Sequence, residues 1–430
     1  METTLVLGGL CFLAVVLLIV LGVPIAFGLA IAGVMAFYLY KGDPSLVPLV
    51  SFTFVNSFVL TAVPLFILMG EILVHCGLSE KLYRGTSRWL AWAPGGLLHA
   101  NIGSCALFAA ISGSSPATAA TVGTVAVPAL AKRGYDTRLT LGSLAAGGTL
   151  GILIPPSINL IVYGAMTGAS VARLFAGGIL PGIMLSGMFM LFIAMRVVKN
   201  RALAPREAFS LRALPGSFLD LWPIFVIMGI VLGGIFTGVF TPTEAAAVGA
   251  TSAFVITLAQ RRLTWRILLD CLESTVTITA MVLIIVVGAA IIASFLALIG
   301  FPRTLAEFVV GSAFPAWLII ALIFLLYIFL GCFMDGLSAM LMTLPAILPI
   351  VRMLGYEVIW FGVILVLLTE MGLLTPPVGV NVFILKAISG KSLGDVFIGS
   401  APFFFIMLVA LAIVTAFPLI ITWLPHAMMG

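Results

Sequence analysis

Two stretches of the chain repeat each other about half the molecule apart. At an offset of 221 residues the pairs are Pro128 and Pro349, Gly134 and Gly355, Tyr135 and Tyr356, Gly151 and Gly372, Leu153 and Leu374, Pro155 and Pro376, and Pro156 and Pro377. At an offset of 222, Asn159, Ala165, Gly168 and Phe175 recur as Asn381, Ala387, Gly390 and Phe397. Several of these residues are Gly or Pro, which set backbone shape, so the duplicated property is mainly a fold.

The composition indicates that this duplicated fold lies in a bilayer. Hydrophobic residues make up 63% of the chain and charged residues 8%, and the mean hydropathy is +1.31. A soluble domain could not keep so much apolar surface away from water. At ~20 residues per crossing, the chain has room for roughly ten to twelve spans. The start, Met1–Val20, has no basic region or small-residue cleavage site, so we expect it to be a retained first span.

Four clusters of Lys and Arg orient the predicted spans. Because cytoplasmic loops are enriched in these residues, we expect all four clusters on the cytoplasmic side. They are Lys81/Arg84/Arg88, Lys132/Arg133/Arg138, Arg196/Lys199/Arg201/Arg206/Arg212 and Arg261/Arg262/Arg266. Two apolar segments, at about 140–168 and 172–195, separate the second cluster from the third. Two more, at about 219–240 and 242–260, separate the third from the fourth.

The first two clusters are separated by a single interrupted segment. This apolar stretch runs from Leu90 to Ala131 and is broken at Ser112–Pro116, so it returns to its own side most simply as a re-entrant hairpin (hairpin 1). Its counterpart, hairpin 2, is expected from Ala316 to Val351 with a break at Gly331–Gly336. Spans near 5–22, 24–40 and 55–75 precede hairpin 1 and two follow it. An odd number of crossings inverts the second repeat, so hairpin 2 should enter from outside.

The Pro-Pro pairs predict a second kind of break. Pro155-Pro156 removes two adjacent N–H donors and should unwind the helix around residues 151–156, and Pro376-Pro377 should do the same. Broken backbone at membrane depth survives only where protein or a polar cavity supplies partners. Duplicated breaks of this kind are typical of a secondary transporter's binding site, and free carbonyls beside a Ser- and Gly-rich tip suit Na⁺. The alternative is that Pro merely kinks the helices and Ser and Gly ease close packing.

Several motifs together resemble the large membrane subunit of the tripartite ATP-independent periplasmic (TRAP) transporters. The resemblance covers essentially the whole chain. The motifs are Ile111-Ser112-Gly113-Ser114-Ser115-Pro116-Ala117-Thr118, Gly147-Gly148-Thr149-Leu150-Gly151-Ile152-Leu153-Ile154-Pro155-Pro156-Ser157, Phe240-Thr241-Pro242-Thr243-Glu244-Ala245 and Thr375-Pro376-Pro377-Val378-Gly379-Val380-Asn381.

The resemblance implies a Na⁺-coupled importer of organic acids in the bacterial inner membrane. It also implies two partners, a small four-helix membrane subunit and a periplasmic substrate-binding protein. From its length, we do not expect the chain to include the small subunit that is fused on in some relatives. The implied Na⁺ ligands are Ser112 with carbonyls near Gly151, Ile154 and Pro156 at a first site, and Gly331, Gly372, Thr375 and Val378 at a second.

The implied fold is an all-α polytopic membrane protein with two inverted repeats, two re-entrant hairpins and an elevator-type division. We expect first scaffold helices in 1–75 and a first transport repeat in 89–195. A cytoplasmic linker with the second scaffold helices should occupy 196–298, and a second transport repeat 310–425.

Carboxylates inside apolar runs are functional candidates because they are costly in a membrane. Across the repeat Asp335 aligns with Ser114 and Glu370 with Thr149. The alternatives are a capped helix end for Asp335 and an interhelical hydrogen bond for Glu370. Glu244 indicates a helix start capped by Thr241 or Thr243. The predicted substrate cavity comprises Ser114, Ser115, Thr149, Asn159, Asp335, Glu370 and Asn381. His75, His99 and His426 show no carboxylate or thiol partner at ligand spacing.

Three function classes are compatible with a membrane chain. A secondary transporter explains the repeat, the paired breaks and the lack of a GxxxxGK[ST] nucleotide motif. A channel would need a continuous polar lining that the hairpins would obstruct. A membrane-embedded enzyme would need an activating base near Ser112 or Ser114, and no His or Lys is close in sequence. We therefore expect a transporter rather than an enzyme, with the solute open between a C4-dicarboxylate, a sialic acid and other carboxylated metabolites.

Overall fold

The computed structural model describes residues 2–207 and 214–429, and these residues form α-helices and one short 3₁₀ helix, without strands. The predicted all-α class is therefore confirmed. Arg212, in the third basic cluster, lies outside the described residues. The first half comprises α1 (Glu2–Val20), α2 (Ile25–Lys41), α3 (Leu46–Val55), α4 (Ala62–His75), α5 (Leu78–Leu90), α6 (Leu97–Ser112), α7 (Ser115–Lys132), α8 (Thr137–Gly148), α9 (Leu150–Leu153), α10 (Ile158–Thr167), α11 (Val171–Lys199) and the 3₁₀ helix Arg201–Leu203.

The second half repeats most of this order. Its helices are α12 (Leu214–Phe236), α13 (Pro242–Ala259), α14 (Trp265–Leu298), α15 (Phe301–Val310), α16 (Ala316–Gly331), α17 (Gly336–Met353), α18 (Val358–Gly372), α19 (Val380–Ser389), α20 (Leu393–Ala416) and α21 (Leu419–Met429).

The number of membrane crossings agrees with the sequence-based range. Within the described residues, 8 helices are long and apolar enough to span, or 9 if α4 and α5 form one bent span. One of them, α17, is an arm of hairpin 2. Helix α2 and the broken pair α18–α19 are too short to be among these nine, although α8–α10, the equivalent of that pair in the first half, counts as one span. Leaving out α17 and adding α2 and the α18–α19 pair gives ten crossings. The chain is a multi-pass membrane protein.

Both hairpins form, with small shifts from the predicted boundaries. Hairpin 1 consists of α6 and α7, and hairpin 2 of α16 and α17. α6 begins at Leu97 instead of Leu90 because Gly95 and Gly96 adopt positive φ angles of +121° and +48° and interrupt the helix. The unwound stretches are residues 154–157 and 373–379. Gly151 and Gly372 stay helical, so the predicted unwinding at 151–156 begins three residues too early.

The predicted span at 55–75 begins too early. α3 ends at Val55, turns that begin with Asn56 and Ser57 follow, and the helix that forms this span, α4, begins at Ala62.

Two amphipathic helices escape the sequence analysis. α5 bends 74° away from α4, and the second amphipathic helix, α15, follows α14 after Gly300. Gly77 and Gly300 directly precede α5 and α15 with φ angles of +73° and +71°, a left-handed conformation that ends a helix at little cost for glycine. α5 packs against both α6 and α12, so it bridges hairpin 1 to the second half.

Contacts between the halves are reciprocal. Helix α2 packs on α14, and the equivalent helices of the other half, α13 and α4, pack on each other. In the same way, α7 packs on α19 as α17 packs on α10, and α8 packs on α20 as α18 packs on α11. This exchange of equivalent partners is what two repeats related by a pseudo-twofold axis produce.

The basic clusters meet at one end of the bundle. Lys81 Nζ donates to Gln260 Oε1 at 2.9 Å, beside the fourth cluster. Arg133 of the second cluster pairs with Glu207 at 2.8 Å, beside the third cluster. Arg88 pairs with Asp220 of α12 at 3.2 Å. These contacts agree with placing the clusters on one side of the membrane.

Candidate cation and substrate sites

The tip of hairpin 1 packs directly against the first break. Ser112 ends α6, and Ser114 caps α7 by accepting the Ala117 N–H at 3.4 Å. The Ser112 hydroxyl donates to the Ser114 carbonyl at 3.3 Å. A Cβ on Gly151 would lie 2.7 Å from that same carbonyl, and one on Gly113 would lie 3.0 Å from the Pro156 carbonyl. Only glycine permits this approach, which gathers hydroxyl and carbonyl oxygens around the tip.

The predicted first-site ligands therefore lie on neighbouring elements. Ser112 is on hairpin 1, Gly151 is on α9, and Ile154 and Pro156 are in the unwound stretch. Ile154 adopts an extended conformation at the C-terminus of α9. A helix C-terminus leaves carbonyl oxygens without intrahelical partners, so the ends of α6 and α9 both supply such oxygens here.

The second set of ligands is equally close-packed. A Cβ on Gly372 would lie 2.3 Å from the Gly331 carbonyl carbon, so α16 and α18 touch backbone to backbone. The Thr375 hydroxyl donates to the Gly372 carbonyl at 3.0 Å and lies 3.0 Å from Cys332 Sγ. The Val378 N–H donates to the Cys332 carbonyl at 3.3 Å. Gly331, Gly372, Thr375 and Val378 therefore belong to one cluster, to which the structure adds Cys332.

A cavity of about 270 Å³ lies between the two hairpin tips. Ser112–Ser114 of hairpin 1 and Asp335–Gly336 of hairpin 2 line it, together with Asn159. Its opposite wall comes from α4 and α14, through Glu71 and a mostly apolar face including Ile278 and Val282. The two tips, distant in sequence, thus face one shared space.

Three of the seven predicted cavity residues, Ser114, Asn159 and Asp335, line this space. Asp335 also caps α17, accepting the Ser338 N–H at 3.0 Å. It therefore both lines the cavity and caps a helix, the two positions predicted for it. Glu244 lies in a capping box with Thr241, which identifies Thr241 as the cap.

The other four predicted cavity residues lie behind the lining in a buried polar layer. Thr149 donates to the Ala146 carbonyl of its own helix at 2.6 Å, whereas Glu370 accepts the Ser115 hydroxyl at 2.5 Å. Asn381 Nδ2 donates to the Ala145 carbonyl at 3.3 Å. Ser115, Glu370 and Asn381 turn toward the interface between the repeats because their partners are there, whereas Thr149 bonds within its own helix. The interhelical bond considered for Glu370 is present, and it joins the two halves.

Glu71 is the cavity carboxylate that the sequence analysis missed. It lies 3.4 Å from His75 Nδ1, one helical turn away on α4. The expectation that His75 has no carboxylate partner at ligand spacing is therefore wrong. The signal was available, because Glu71 is an acidic residue within an apolar run and precedes His75 by four residues.

Helix ends set the electrostatics of the cavity. α7 and α17 begin at its two tips, and α10 begins beside it, where Ser157 caps the helix. Helix N-termini carry partial positive charge and favour anions, while C-termini favour cations. The lining that the structure describes contains the carboxylates Glu71 and Asp335 and no Lys or Arg. An anion bound here would depend on helix dipoles and on nearby cations.

Comparisons with known proteins agree on one family. The model of the tripartite ATP-independent periplasmic transporter, DctM component, matches residues 12–420. The C4-dicarboxylate TRAP transporter large permease protein DctM of Vibrio cholerae is 33% identical over 448 residues, covering 98% of both chains. The isethionate TRAP transporter permease protein DctMQ of Oleidesulfovibrio alaskensis is 35% identical, covering 94% of this chain and 64% of its own. The sialic acid TRAP transporter permease protein SiaT of Haemophilus influenzae is 31% identical, covering 94% and 66%.

Solved structures support the fold alone. The Alcanivorax borkumensis YdaH transporter, described as having an unusual topology, superposes with a TM-score of 0.63 at 15% identity, covering 91% of this chain and 89% of its own. Neisseria gonorrhoeae MtrF gives a TM-score of 0.60 at 12% identity, covering 88% and 83%. With the family model spanning nearly the whole chain and full-length relatives above 30% identity, the chain belongs to the DctM family, the large membrane component of TRAP transporters.

Proposed function

We propose that this subunit imports a carboxylated organic solute in symport with Na⁺. The observation that carries the proposal is the arrangement of helix ends. C-terminal ends with free carbonyls meet in two repeat-related clusters, and N-terminal ends meet at a cavity between them. Discontinuous helices of secondary transporters use carbonyl ends for coupling ions and amide ends for anionic substrates.

In this proposal Na⁺ binds at both clusters. Ser112, Gly151, Ile154 and Pro156 would supply the first site, and Gly331, Gly372, Thr375 and Val378 the second. Their donors are hydroxyl and carbonyl oxygens, the hard ligands that suit a small alkali cation.

The cavity chemistry explains why solute and Na⁺ would bind together. Glu71 and Asp335 give the lining a negative potential that opposes an organic anion. Two bound cations beside the tips would offset it, so occupancy of the clusters would raise affinity for the solute. The three permease relatives described above are named for C4-dicarboxylates, isethionate and sialic acid, and all of these are organic acids.

Transport would proceed by an elevator movement. The repeats at 89–195 and 310–425, which contain hairpins and broken helices, would move as one body. The helices in 1–75 and 196–298 would stay fixed. Reciprocal packing of α2 on α14 and of α13 on α4 supports a compact fixed body. α5 and α15 directly follow Gly77 and Gly300, both with positive φ, and these helices would connect the two bodies.

The subunit would work in the bacterial inner membrane with a small membrane subunit and a periplasmic substrate-binding protein. The DctMQ relative supports the first partnership, because its name joins the two membrane components and this chain covers 64% of it. The binding protein would capture the solute and deliver it to the outer face.

Uptake into proteoliposomes tests the proposal. Labelled organic acids should accumulate when this subunit, the small subunit and the binding protein are combined under an inward Na⁺ gradient. Reconstituted alone, this chain should take up little solute. Uptake that persists when choline replaces Na⁺ would contradict the coupling, and robust uptake by the lone chain would contradict the partnership. Ion current without solute accumulation would indicate a channel instead.

A further inference from the structure

Glu370 is a buried carboxylate without a cationic partner. Its side chain is 1% exposed, and the Ser115 hydroxyl donates to it at 2.5 Å. None of the ion pairs among the described residues involves it. Removing a carboxylate from water is costly unless it is paired, so a single hydroxyl is little compensation for a full charge.

Asn381 presents an unpaired oxygen in the same layer. Its side chain is 0% exposed, and Oδ1 has no hydrogen-bond partner among the described residues. The amide orientation is fixed by the Ala145 carbonyl, which accepts Nδ2 at 3.3 Å. At the α8–α9 junction the Thr149 N–H bonds the Ala146 carbonyl rather than that of Ala145. Exchanging Oδ1 and Nδ2 of Asn381 would place Oδ1 against the Ala145 carbonyl oxygen, so that two acceptors would face each other.

Both side chains approach the first turn of α7. A Cβ on Gly148 would lie 3.0 Å from Asn381 Nδ2 and 3.4 Å from the Ser115 carbonyl, so the amide and this carbonyl flank the same glycine. The Ser115 hydroxyl faces Glu370. The chain thus brings a carboxylate, an amide and a serine together from both repeats.

This layer breaks the symmetry of the repeat. Thr149 occupies the position equivalent to Glu370, yet its hydroxyl bonds the Ala146 carbonyl of its own helix. The first repeat therefore offers no carboxylate at the corresponding place, and any ion that Glu370 attracts has no counterpart there.

We propose that Glu370, Asn381 and Ser115 form a third cation site, separate from the two repeat-related clusters. One carboxylate with neutral amide and serine oxygens suits a monovalent cation, and the proposed coupling, on which this inference rests, identifies it as Na⁺. The cation neutralises the buried charge and gives Asn381 Oδ1 a partner. Because its ligands come from hairpin 1 and from the segments flanking the second break, it also holds the two repeats together.

Thermal unfolding in different salts tests this site apart from the other two. Ser112→Ala and Thr375→Val together remove the side-chain ligands of the two clusters. In this background, purified with the small subunit, unfolding is compared in NaCl and in choline chloride at equal ionic strength, with Na⁺ too dilute to fill the two weakened clusters. We expect a residual Na⁺-dependent rise in the unfolding temperature. Adding Glu370→Gln, which keeps the shape and an acceptor for Ser115, should abolish that rise without lowering the unfolding temperature in choline.

Two further variants separate ion binding from packing. Asn381→Leu should also abolish the residual rise. Thr140→Val should keep it, because Thr140, on α8, is also buried with an unpartnered side-chain oxygen among the described residues but lies outside the site. A residual rise that survives Glu370→Gln, or an equal loss of stability in both salts, would overturn the third site. So would the lack of any residual rise in the background.

The outcomes also distinguish this inference from the proposed function. A wild-type subunit that shows no response to Na⁺ in unfolding or in uptake would contradict the Na⁺ coupling itself. A wild-type response to which Glu370 and Asn381 contribute nothing would contradict only the third site. If lowering the pH, and not adding Na⁺, stabilises the Ser112→Ala/Thr375→Val background through Glu370, the group binds a proton and the cation site is refuted.

Discussion

The two breaks have the same motif but different surroundings. The first, residues 154–157, is short, and Pro155, Pro156 and Ser157 are buried. The second, residues 373–379, is longer, and Pro376, Pro377 and Val378 are exposed, Val378 at 38%. The hairpin tips differ in the same direction, with two residues between α6 and α7 and four between α16 and α17.

This difference shows how one duplicated motif can be buried in one repeat and accessible in the other. Unwound backbone cannot face hydrocarbon, so the exposed second break must face water or another protein, whereas the first is sealed by its own fold. An ion at the first site would be shielded from water and one at the second would be accessible. In this conformation we expect the second site to exchange its ion first.

Adding a methyl group at the glycine contacts should have the largest effect. Gly372→Ala places Cβ 2.3 Å from the Gly331 backbone and should abolish uptake, because neither helix can retreat without opening the site. Gly151→Ala, at 2.7 Å from the Ser114 carbonyl, should be nearly as severe. Overpacking of this kind costs about 1–3 kcal/mol or more. The check is uptake together with the yield of folded protein.

The matched control for these substitutions is Gly187→Ala. Gly187 lies within α11, and a Cβ added there would have nothing within 4 Å. Alanine at this position should leave uptake unchanged. Equal losses at Gly187 and Gly372 would mean that the membrane helices tolerate no alanine, and the close approach at the breaks would lose its significance.

Cysteine labelling should separate the two breaks directly. In a background lacking Cys11, Cys76, Cys105, Cys271 and Cys332, Val378→Cys should react quickly with a hydrophilic thiol reagent. Ser157→Cys, whose native side chain is 0% exposed, should be protected. Equal labelling rates at the two positions would contradict the sealed and open environments. Both variants keep the backbone carbonyls, so Na⁺-dependent uptake serves as the check that each has folded.

Removing one hydroxyl from each cluster should weaken Na⁺ activation unequally. Ser112→Ala should raise the Na⁺ concentration for half-maximal uptake by about tenfold, equivalent to ~1.4 kcal/mol, because water cannot readily replace a ligand in the sealed site. Thr375→Ala should raise it less, because water reaches the second site. Dose–response curves with binding protein in excess measure both shifts. A larger shift for Thr375→Ala would reverse the assignment of the open site.

The smallest effect is expected outside both breaks. Thr241→Ala removes the hydroxyl of the α13 capping box, which accepts the Glu244 N–H at 3.3 Å. Loss of a cap costs about 1 kcal/mol of helix stability. The unfolding temperature should fall slightly while half-maximal Na⁺ stays unchanged. A shift in Na⁺ dependence would show that this helix contributes to the ion sites after all.

Local sequence predicted the breaks and hairpins well because their causes are local. Pro155-Pro156 and Pro376-Pro377 remove backbone donors wherever they occur, and Ser-Gly tips interrupt helices in the same way. The boundaries shifted by a few residues because Gly151 and Gly372 remain helical, packed against Ser114 and Gly331. The amphipathic helix α5 was missed because its polar residues were interpreted only as a basic cluster.

The sequence by itself determined the duplicated architecture and the residue types at each break, since backbone chemistry acts on the nearest neighbours. Only the tertiary structure decided which side chains face the cavity. Ser115 and Glu370 are 255 residues apart, and their hydrogen bond exists because α7 and α18 pack across the repeat interface. Likewise, Asn381 turns away from the cavity because a carbonyl freed at the α8–α9 junction requires a donor. A buried polar group takes the partner that the fold brings near, and spacing along the sequence does not specify that partner.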